Sequence, residues 1–257
     1  MKRRRGSARS GGVAVITGGA GHLGGAVARR LAEDGVRLAL LDNDSLRLLR
    51  AVDGLRAAGA ACLGHTLDLA DGPEVARAVT AVTQDLGAPS ILVNCAGISP
   101  KRDGRPPAVE DISTDEWEQV LRVNLTATFE AIKAVVPAMR AAGFGRIVSI
   151  SSMAARLASP TAGLHYTTSK AALIGMTRSL GRSLAPHGIL VVAVAPGKLR
   201  SPGWQDDEGL VQRYTEGIPL GRLAEADEVA ELVAFLCSDR NTYVTGTTVE
   251  VDGGRAP

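Results

Sequence analysis

Cysteines and long apolar runs are both scarce in this sequence of 257 residues. Cys62, Cys95 and Cys237 are odd in number, widely spaced and free of any Cys-x-x-Cys pattern, which argues against a disulfide framework or a zinc site. Each apolar stretch is interrupted by charge, Gly or Pro within about a dozen residues, whereas a membrane-spanning helix needs roughly 18. These shortages predict a soluble protein of the reducing cytoplasm, with no bound metal and no membrane partner.

Negative charge is scarce at the start of the chain, so the overall net charge does not show that the rest of the chain is acidic. The formal net charge is +2, yet Lys2, Arg3, Arg4, Arg5 and Arg9 all fall within the first ten residues. Removing these five from the 29 Lys and Arg leaves 24 against 27 Asp and Glu, so the body of the chain is a poor surface for nucleic acid.

The first twelve residues contain Arg, Gly and Ser but lack the apolar segment of a signal peptide. This composition predicts that residues 1–12 form a short disordered basic tail. Attachment of the tail to an anionic surface is the alternative.

Short apolar runs alternate with segments of helical periodicity along the rest of the chain. Most of the runs are too continuously apolar to face water, which indicates central strands of a parallel sheet. The alternation predicts one doubly wound α/β domain of the Rossmann type over residues 13–257, with about seven mainly parallel strands and helices on both faces. The predicted strands are 13–16, 37–41, 61–67, 91–93, 146–150, 190–195 and 247–251, and the predicted helices are 22–34, 44–58, 73–86, 114–141, 164–185 and 226–238.

Two segments interrupt this alternation. Residues 100–111 follow the fourth predicted strand and residues 198–221 follow the sixth. Ligands of doubly wound sheets bind at the carboxyl ends of the strands, so these segments are predicted to form a substrate wall and a substrate loop that acts as a lid. Ordinary surface insertions are the alternative.

Gly18, Gly21 and Gly24 lie between the first predicted strand and the first predicted helix. Glycines here allow a tight turn, close approach of the backbone to a pyrophosphate and close packing of helix on sheet. The amino terminus of the helix then offers unpaired N–H groups to the phosphates. A glycine-rich turn alone is weak evidence, but its position in the first βαβ unit strengthens it.

Asp42 ends the second predicted strand, 24 residues after Gly18. A carboxylate in this position can accept hydrogen bonds from both hydroxyls of an adenosine ribose, and it would repel a 2′-phosphate. No basic residue follows it until Arg47. The pattern therefore predicts NAD rather than NADP; the alternative is that Asp42 only caps the helix that begins near Asp44.

Tyr166 and Lys170 are four residues apart on one predicted helix, downstream of Ser152. This spacing puts the phenol and the ammonium on one face, where the cation can favour the phenolate and so prepare it for proton transfer. Taken alone, the pair would more simply be a Tyr at the edge of the core beside a solvated Lys.

With these features, an ordered set of motifs resembles the short-chain dehydrogenase/reductase family over about residues 13–254. So many ordered matches are highly specific. They are the glycine loop from Thr17 to Gly24, Asp68-Leu69, Asn94-Cys95-Ala96-Gly97, Asn124, Ser151-Ser152, Tyr166 with Lys170, Pro196-Gly197 and Val251-Asp252-Gly253-Gly254.

The resemblance implies a catalytic set of four residues. Tyr166 would be the general acid in carbonyl reduction and the base in alcohol oxidation, with Lys170 lowering its pKa and holding the nicotinamide ribose. Ser152 would hydrogen-bond the substrate oxygen. Asn124 would position a water molecule next to Lys170. Taken singly, Ser152 and Asn124 would instead be an ordinary strand-end hydroxyl and a polar residue that kinks a helix.

The resemblance also implies a set of cofactor contacts, which includes two catalytic residues. The implied set is Gly18, Gly21, His22, Leu23, Gly24, Asp42, Asn43, Asp68, Leu69, Asn94, Ala96, Gly97, Tyr166, Lys170, Pro196, Gly197, Leu199 and Ser201.

The sequence departs from the family pattern at four points. His22 stands where glycine is usual and is expected to point to solvent, Cys95 replaces an Asn, and Ser201 replaces a Thr. The interval from Ser152 to Tyr166 is one residue longer than usual. Reading forward from the strand at 146–150 selects Ser152 as the catalytic serine, with Ser151 as second choice.

The resulting hypothesis is an NAD-dependent oxidoreductase that interconverts a secondary alcohol and a ketone. The alternatives are a reductase of 3-oxoacyl thioesters and a non-catalytic NAD-binding redox sensor. The resemblance further implies a homotetramer built by helices 114–141 and 164–185 and the last strand. The substrate stays open, because apolar loop residues favour a hydrophobic molecule whereas four loop arginines would suit an acid: Arg102, Arg105, Arg156 and Arg200.

Overall fold

The computed structural model describes residues 11–157, 159, 161–200, 212 and 215–255. Residues 1–10 of the predicted basic tail, Ser201 and most of the predicted substrate loop lie outside the described residues. The predictions for these segments stay predictions.

Within the described residues, seven strands form one parallel sheet in the order β3-β2-β1-β4-β5-β6-β7. Each predicted strand is confirmed, and its bounds differ by no more than one residue at either end. The strands are β1 Val13–Thr17, β2 Arg37–Asp42, β3 Cys62–Thr66, β4 Ile91–Asn94, β5 Gly145–Ile150, β6 Ile189–Pro196 and β7 Thr247–Val251.

Several helices begin at polar residues that the sequence offers as caps. Asp44 accepts a hydrogen bond from the backbone of Arg47, and Ser113 accepts one from that of Glu116. The predicted helix 114–141 is interrupted by a π-helical turn at Arg122–Thr126. The α-helices are α1 His22–Glu33, α2 Ser45–Ala57, α3 Gly72–Asp85, α4 Thr114–Leu121, α5 Ala127–Ala142, α6 Leu164–Leu184 and α7 Ala226–Cys237.

Successive side chains of β1 pack on opposite faces of the sheet, as the period of a strand requires. Ala14 and Ile16 join the core formed with α1, α2 and α7, whereas Val13 and Val15 join the core formed with α3 and α5. Both faces are therefore covered, and the doubly wound fold is confirmed. Strand order reverses at β1, so a crevice opens at the carboxyl ends of β1 and β4, where such folds bind ligands.

Candidate active site

The turn after β1 leaves no room for side chains at two of its glycines. Gly18 has φ +64°, and a Cβ atom there would lie 2.8 Å from the backbone of Ala96. A Cβ on Gly24 would lie 2.1 Å from the carbonyl oxygen of Gly18. The sequence thus folds this segment into a backbone cradle next to the first turn of α1, where N–H groups can meet an anion.

Helix α1 starts at His22, with Gly21 as its N-cap and no side chain to satisfy the first N–H groups. The His22 side chain is exposed. Leu23, by contrast, is partly buried and packs against the core. Of the predicted contacts in this turn, Gly18 and Gly21 line the crevice, whereas Leu23 packs against the hydrophobic core.

An open cleft of about 720 Å³ lies at the carboxyl ends of β1, β2 and β4. It brings together predicted cofactor residues from four separate parts of the sequence. These are Gly18, Gly21, Asp42, Asn43, Asp68, Leu69, Ala96 and Gly97.

Both carboxylate oxygens of Asp42 are oriented by backbone N–H groups. Oδ2 accepts a hydrogen bond from Ala20 at 3.0 Å, and Oδ1 accepts one from Asp44 at 3.2 Å. The capping residue of α2 is Asp44, not Asp42. Since a carboxylate has about four acceptor positions, the Asp42 oxygens retain capacity for the two hydroxyls of a ribose.

The next wall of the cleft follows β3. Asp68 Oδ1 accepts a hydrogen bond from Ala70 at 2.9 Å, and the Asp68 backbone N–H donates to Glu74 at 3.2 Å. Leu69 is buried between them. These contacts hold a polar and an apolar residue side by side, which suits the edge and face of a base.

The end of β4 forms the floor of the cleft. Asn94 is buried and donates a hydrogen bond from Nδ2 to Ser149 Oγ at 3.2 Å, while its Oδ1 has no partner among the described residues. The Ala96 N–H reaches Thr17 Oγ1 at 3.4 Å. Cys95 contributes a thiol whose pKa burial raises to about 12, so it stays protonated at neutral pH.

Asn124 occupies the centre of the π-helical turn and is fully buried. Its Oδ1 accepts the N–H of Ile98 at 2.8 Å, and its Nδ2 donates to the Ile98 carbonyl at 3.0 Å and to Ser169 Oγ at 3.0 Å. Such turns are frequent at functional sites. Here the turn aims one amide at the loop after β4 and at α6 together. The role of Asn124 in the site stays a prediction.

The two serines after β5 have different partners. Ser151 is buried, and its Oγ donates a hydrogen bond to the backbone carbonyl of Lys170 at 2.8 Å. Ser152 Oγ accepts the N–H of Ala154 at 3.1 Å, and the Ser152 hydroxyl acts to lower the pKa of Tyr166. Of this pair, Ser152 is therefore the one whose hydroxyl influences the phenol.

Lys170 lies one helical turn below Tyr166, with Nζ 5.8 Å from the centre of the phenol ring. The ammonium donates a hydrogen bond to the Ile150 carbonyl at 2.8 Å, and burial lowers the pKa of Lys170 to about 8. Burial raises the pKa of Tyr166, while the hydroxyl of Ser152 acts to lower it. The net direction is opposite to the one that a neighbouring lysine alone would produce.

Gly97 completes the junction between the cleft and the catalytic side chains. A Cβ atom there would lie 3.2 Å from Lys170 Nζ and 3.3 Å from Asn124 Oδ1. The structure therefore brings two of the four predicted catalytic residues, Asn124 and Lys170, next to the cleft that holds Asp42.

The segment after β6 borders this end of the sheet. The Gly197 N–H donates to the Val251 carbonyl at 2.8 Å, and a Cβ on Gly197 would lie 3.0 Å from Asp252 Cα. Leu199 pairs with Ala224 through the backbone. Pro196, Gly197 and Leu199 are thus fixed against β7 and the start of α7.

Three of the four loop arginines that would suit an acidic substrate are paired with carboxylates of the chain. Arg102 lies 2.7 Å from Glu116, Arg200 lies 2.8 Å from Glu225, and Arg156 pairs with Glu250. These partners are 14 to 94 residues away in the sequence, so the pairing gave no local signal. The structure weakens the argument for an acid based on these arginines.

Sequence reasoning missed two side chains near the site. Lys198 directly follows Gly197, and burial together with the charge of Lys101 lowers its pKa to about 8. His165 precedes Tyr166 and is completely buried. The sequence signal that could have identified them is their position, since Lys198 directly follows Pro196-Gly197 and His165 directly precedes Tyr166.

Among the described residues, no group of three or more His, Cys, Asp or Glu is arranged to hold a metal ion. Within that same part of the chain, no helix has the length and apolar character needed to cross a membrane.

Comparisons with known proteins agree with this geometry. The family model described as enoyl-(acyl carrier protein) reductase matches residues 18–256. The short-chain reductase protein NovJ of Streptomyces niveus is 35% identical, over 95% of this chain and 93% of its own length. The 3-oxoacyl-[acyl-carrier-protein] reductase FabG of Pseudomonas aeruginosa is 36% identical, over 94% of this chain and 96% of its own. The chain belongs to the short-chain dehydrogenase/reductase family.

Solved structures resemble the chain over nearly all of its length. A 3-oxoacyl-[acyl-carrier protein] reductase of Brucella melitensis superposes with a TM-score of 0.91 at 32% identity, covering 96% of this chain and 92% of that one. A reductase of the same description and organism, with bound NAD, gives a TM-score of 0.89 at 33% identity and the same coverage. The chain is accordingly an oxidoreductase of a family that binds nicotinamide cofactors and acts on CH–OH or C=O groups.

Proposed function

We propose that this protein is an NAD-dependent oxidoreductase that interconverts a secondary alcohol and a ketone. The junction at Gly97 carries this proposal, because this glycine lines the cleft that holds Asp42 and a Cβ atom on it would lie 3.2 Å from Lys170 Nζ. The same Nζ atom lies 5.8 Å from the centre of the Tyr166 ring, so a cofactor bound in the cleft would lie beside the proton donor. Hydride transfer itself is supplied by the bound nicotinamide.

The side chains have distinct roles in this proposal. Tyr166 gives a proton to the carbonyl oxygen during reduction and removes it from the alcohol during oxidation. Ser152 donates a hydrogen bond to the same oxygen and stabilises its developing charge. Lys170 is held by the Ile150 carbonyl, which places its ammonium where it can contact a ribose hydroxyl.

Preference for NAD is proposed from the surroundings of Asp42. Its carboxylate is oriented by Ala20 and Asp44 and would repel the 2′-phosphate of NADP. The first base that follows Asp42 in the sequence, Arg47, lies 3.2 Å from the Asp44 carboxylate and is exposed. A phosphate at this point would therefore meet one fixed negative charge and a cation that is already paired.

The test is a panel of secondary alcohols with NAD and of ketones with NADH, followed by nicotinamide absorbance. We expect turnover with at least one pair and a kcat/KM for NAD(H) at least about tenfold above that for NADP(H). Asp42→Ser should reduce this ratio. Higher efficiency with NADP(H) in the unaltered protein would refute the cofactor preference.

Reduction of a 3-oxoacyl thioester is the second candidate, because the relatives from Pseudomonas aeruginosa and Brucella melitensis carry that description. It uses the same proton donor and differs in substrate and, usually, in cofactor. A 3-oxoacyl thioester should therefore be assayed with NADPH and NADH beside the panel. A kcat/KM above that of every simple ketone would select this candidate. Tight NAD binding with no turnover in either assay would instead select the redox sensor.

A further inference from the structure

The residue before Tyr166 holds the start of its helix. Gly163 is the N-cap of α6 and has no side chain to accept the first N–H groups. His165 takes this role, because the Tyr166 backbone N–H donates to its Nδ1 at 2.8 Å. The imidazole is completely buried, so the bond is shielded from water.

The ring folds back over Gly163 to make this contact. A Cβ atom on Gly163 would lie 2.6 Å from His165 Cε1 and 2.9 Å from Nδ1. Since Nδ1 accepts a hydrogen bond, the imidazole proton is on Nε2. A glycine at 163 is therefore required for the ring to occupy this position.

His165 is tied in turn to α4. Its Nε2–H donates to Glu116 Oε1 at 2.9 Å. The other oxygen of Glu116 accepts from Arg102 Nη2 at 2.7 Å. Arg102 first, and then His165, lowers the pKa of Glu116 to about 2, so this carboxylate stays ionised at any usual assay pH.

Arg102 belongs to the predicted substrate wall. Its Nη2 also donates to the Asp111 carbonyl at 3.2 Å, and its backbone exchanges two hydrogen bonds of 2.9 Å with Arg105. The turn between them contains Asp103 and Gly104, both with positive φ. The guanidinium thus spans the two ends of the wall and joins it to Glu116.

The opposite side of the Tyr166 backbone is held as well. Ser169 Oγ donates to the Tyr166 carbonyl at 2.7 Å and accepts a hydrogen bond from Asn124 Nδ2 at 3.0 Å. The N–H and C=O of Tyr166 are therefore each bound to a side chain that another element orients. The His165 side of this arrangement contains a charge and reaches the loop after β4.

We propose that His165, Glu116 and Arg102 form a chain of positioning residues that sets the orientation of Tyr166 and couples it to the substrate wall at residues 100–111. This inference rests on the proposed function, since Tyr166 is the proton donor there. Displacement of a reacting group by about 1 Å can reduce rate about a hundredfold, so a lost backbone contact at this residue is expected to lower kcat.

The experiment compares His165→Ala, His165→Asn and Glu116→Gln in the full chain. Asn can place its Oδ1 near the former Nδ1 and accept the Tyr166 N–H, whereas Ala cannot. We expect His165→Ala to lower kcat about tenfold to a hundredfold with less than about a threefold change in KM for NAD. His165→Asn should restore most of kcat. Glu116→Gln should lower kcat and raise KM for the alcohol, because the wall loses its anchor.

Hydrogen exchange of the Tyr166 amide gives a readout that does not need a substrate. It should be faster in His165→Ala and near normal in His165→Asn. Glu231→Gln is the matched control, since Glu231 lies 2.9 Å from Arg30 and links α7 to α1 away from the site. This variant should have the same kcat and the same exchange rate of the Tyr166 amide as the unaltered protein.

Three outcomes would overturn the inference: unchanged kcat in His165→Ala, equal loss in the Ala and Asn variants, or unchanged exchange at Tyr166. Should His165→Ala fail to fold, the comparison of kcat between Glu116→Gln and Glu231→Gln decides the test. Equal kcat in those two variants overturns the inference. Absence of turnover in the unaltered protein refutes the proposed function, and exchange then decides the inference alone.

Discussion

The two neighbouring serines at the end of β5 are expected to have different roles, Ser152 in the site and Ser151 in stability. Ser152→Ala removes the hydroxyl that is proposed to bind the substrate oxygen and that acts to lower the pKa of Tyr166, so we expect kcat to fall about a hundredfold to a thousandfold in steady-state assays. Ser151→Ala should keep kcat within about threefold but lower the free energy of unfolding by about 1–2 kcal/mol, because the Lys170 carbonyl loses its partner. The reverse pattern would identify Ser151 as the catalytic serine.

Lys170 illustrates how a site residue can oppose stability. Burial lowers its pKa from 10.5 to about 8, so the folded chain binds fewer protons than the unfolded chain between these values. The cost of the buried charge is therefore complete below about pH 8 and disappears as the pH rises toward 10.5. Lys170→Met should raise the unfolding free energy at pH 7 by about 2 kcal/mol, after loss of the hydrogen bond to Ile150, while turnover falls.

Denaturant unfolding of both proteins from pH 7 to pH 10.5 checks this expectation. The stability difference between Lys170→Met and the unaltered chain should shrink as the pH rises. If the difference in unfolding free energy stayed constant or grew with pH, burial of the ammonium would not destabilise the folded chain.

At the scale of elements, the glycine turn and α1 contain two adjacent glycines with different requirements. A Cβ on Gly24 would lie 2.1 Å from the Gly18 carbonyl oxygen, whereas one on Gly25 would meet nothing closer than 3.8 Å. Gly24→Ala should distort the turn and weaken NAD binding at least about tenfold by calorimetry. Gly25→Ala should bind normally and gain about 0.5–1 kcal/mol in unfolding free energy from helix propensity. Equal NAD affinity in the two variants would show that the backbone of the turn can shift to accept a side chain at Gly24.

The contacts between elements also explain which features of the site can be predicted from sequence patterns. Strand and helix bounds follow from periodicity and caps, which act over a few residues. The π-helical turn at Arg122–Thr126 was missed because the apolar period continues through it. Its cause is tertiary: Asn124 is fully buried and must satisfy the backbone of Ile98 and the hydroxyl of Ser169.

At the scale of the whole molecule, the exposed apolar side chains of two helices bear on assembly. The predicted homotetramer would use α5 and α6, and both elements expose large apolar side chains, with Phe129 47% and Leu164 49% accessible. We expect light scattering after size exclusion to give four times the mass of the chain. Phe129→Asp should lower this mass, because a charge at a closed interface is costly.

Leu46→Asp is the control for assembly, since Leu46 is 56% exposed on α2, outside the predicted interface. It should leave the mass unchanged. A monomeric mass for the unaltered protein would refute the tetramer.

Short-range information in the sequence was enough to predict the strand bounds, the bounds of most helices, the Rossmann architecture, the family, and Ser152, Tyr166 and Lys170 as the catalytic candidates, because periods, caps and motifs are local. Only the tertiary structure decided that Glu116 and His165 meet, that three loop arginines are neutralised, and that burial raises the pKa of Tyr166. The physical reason is that ion pairing and desolvation depend on distances between residues that are remote along the chain, and no local pattern contains those distances.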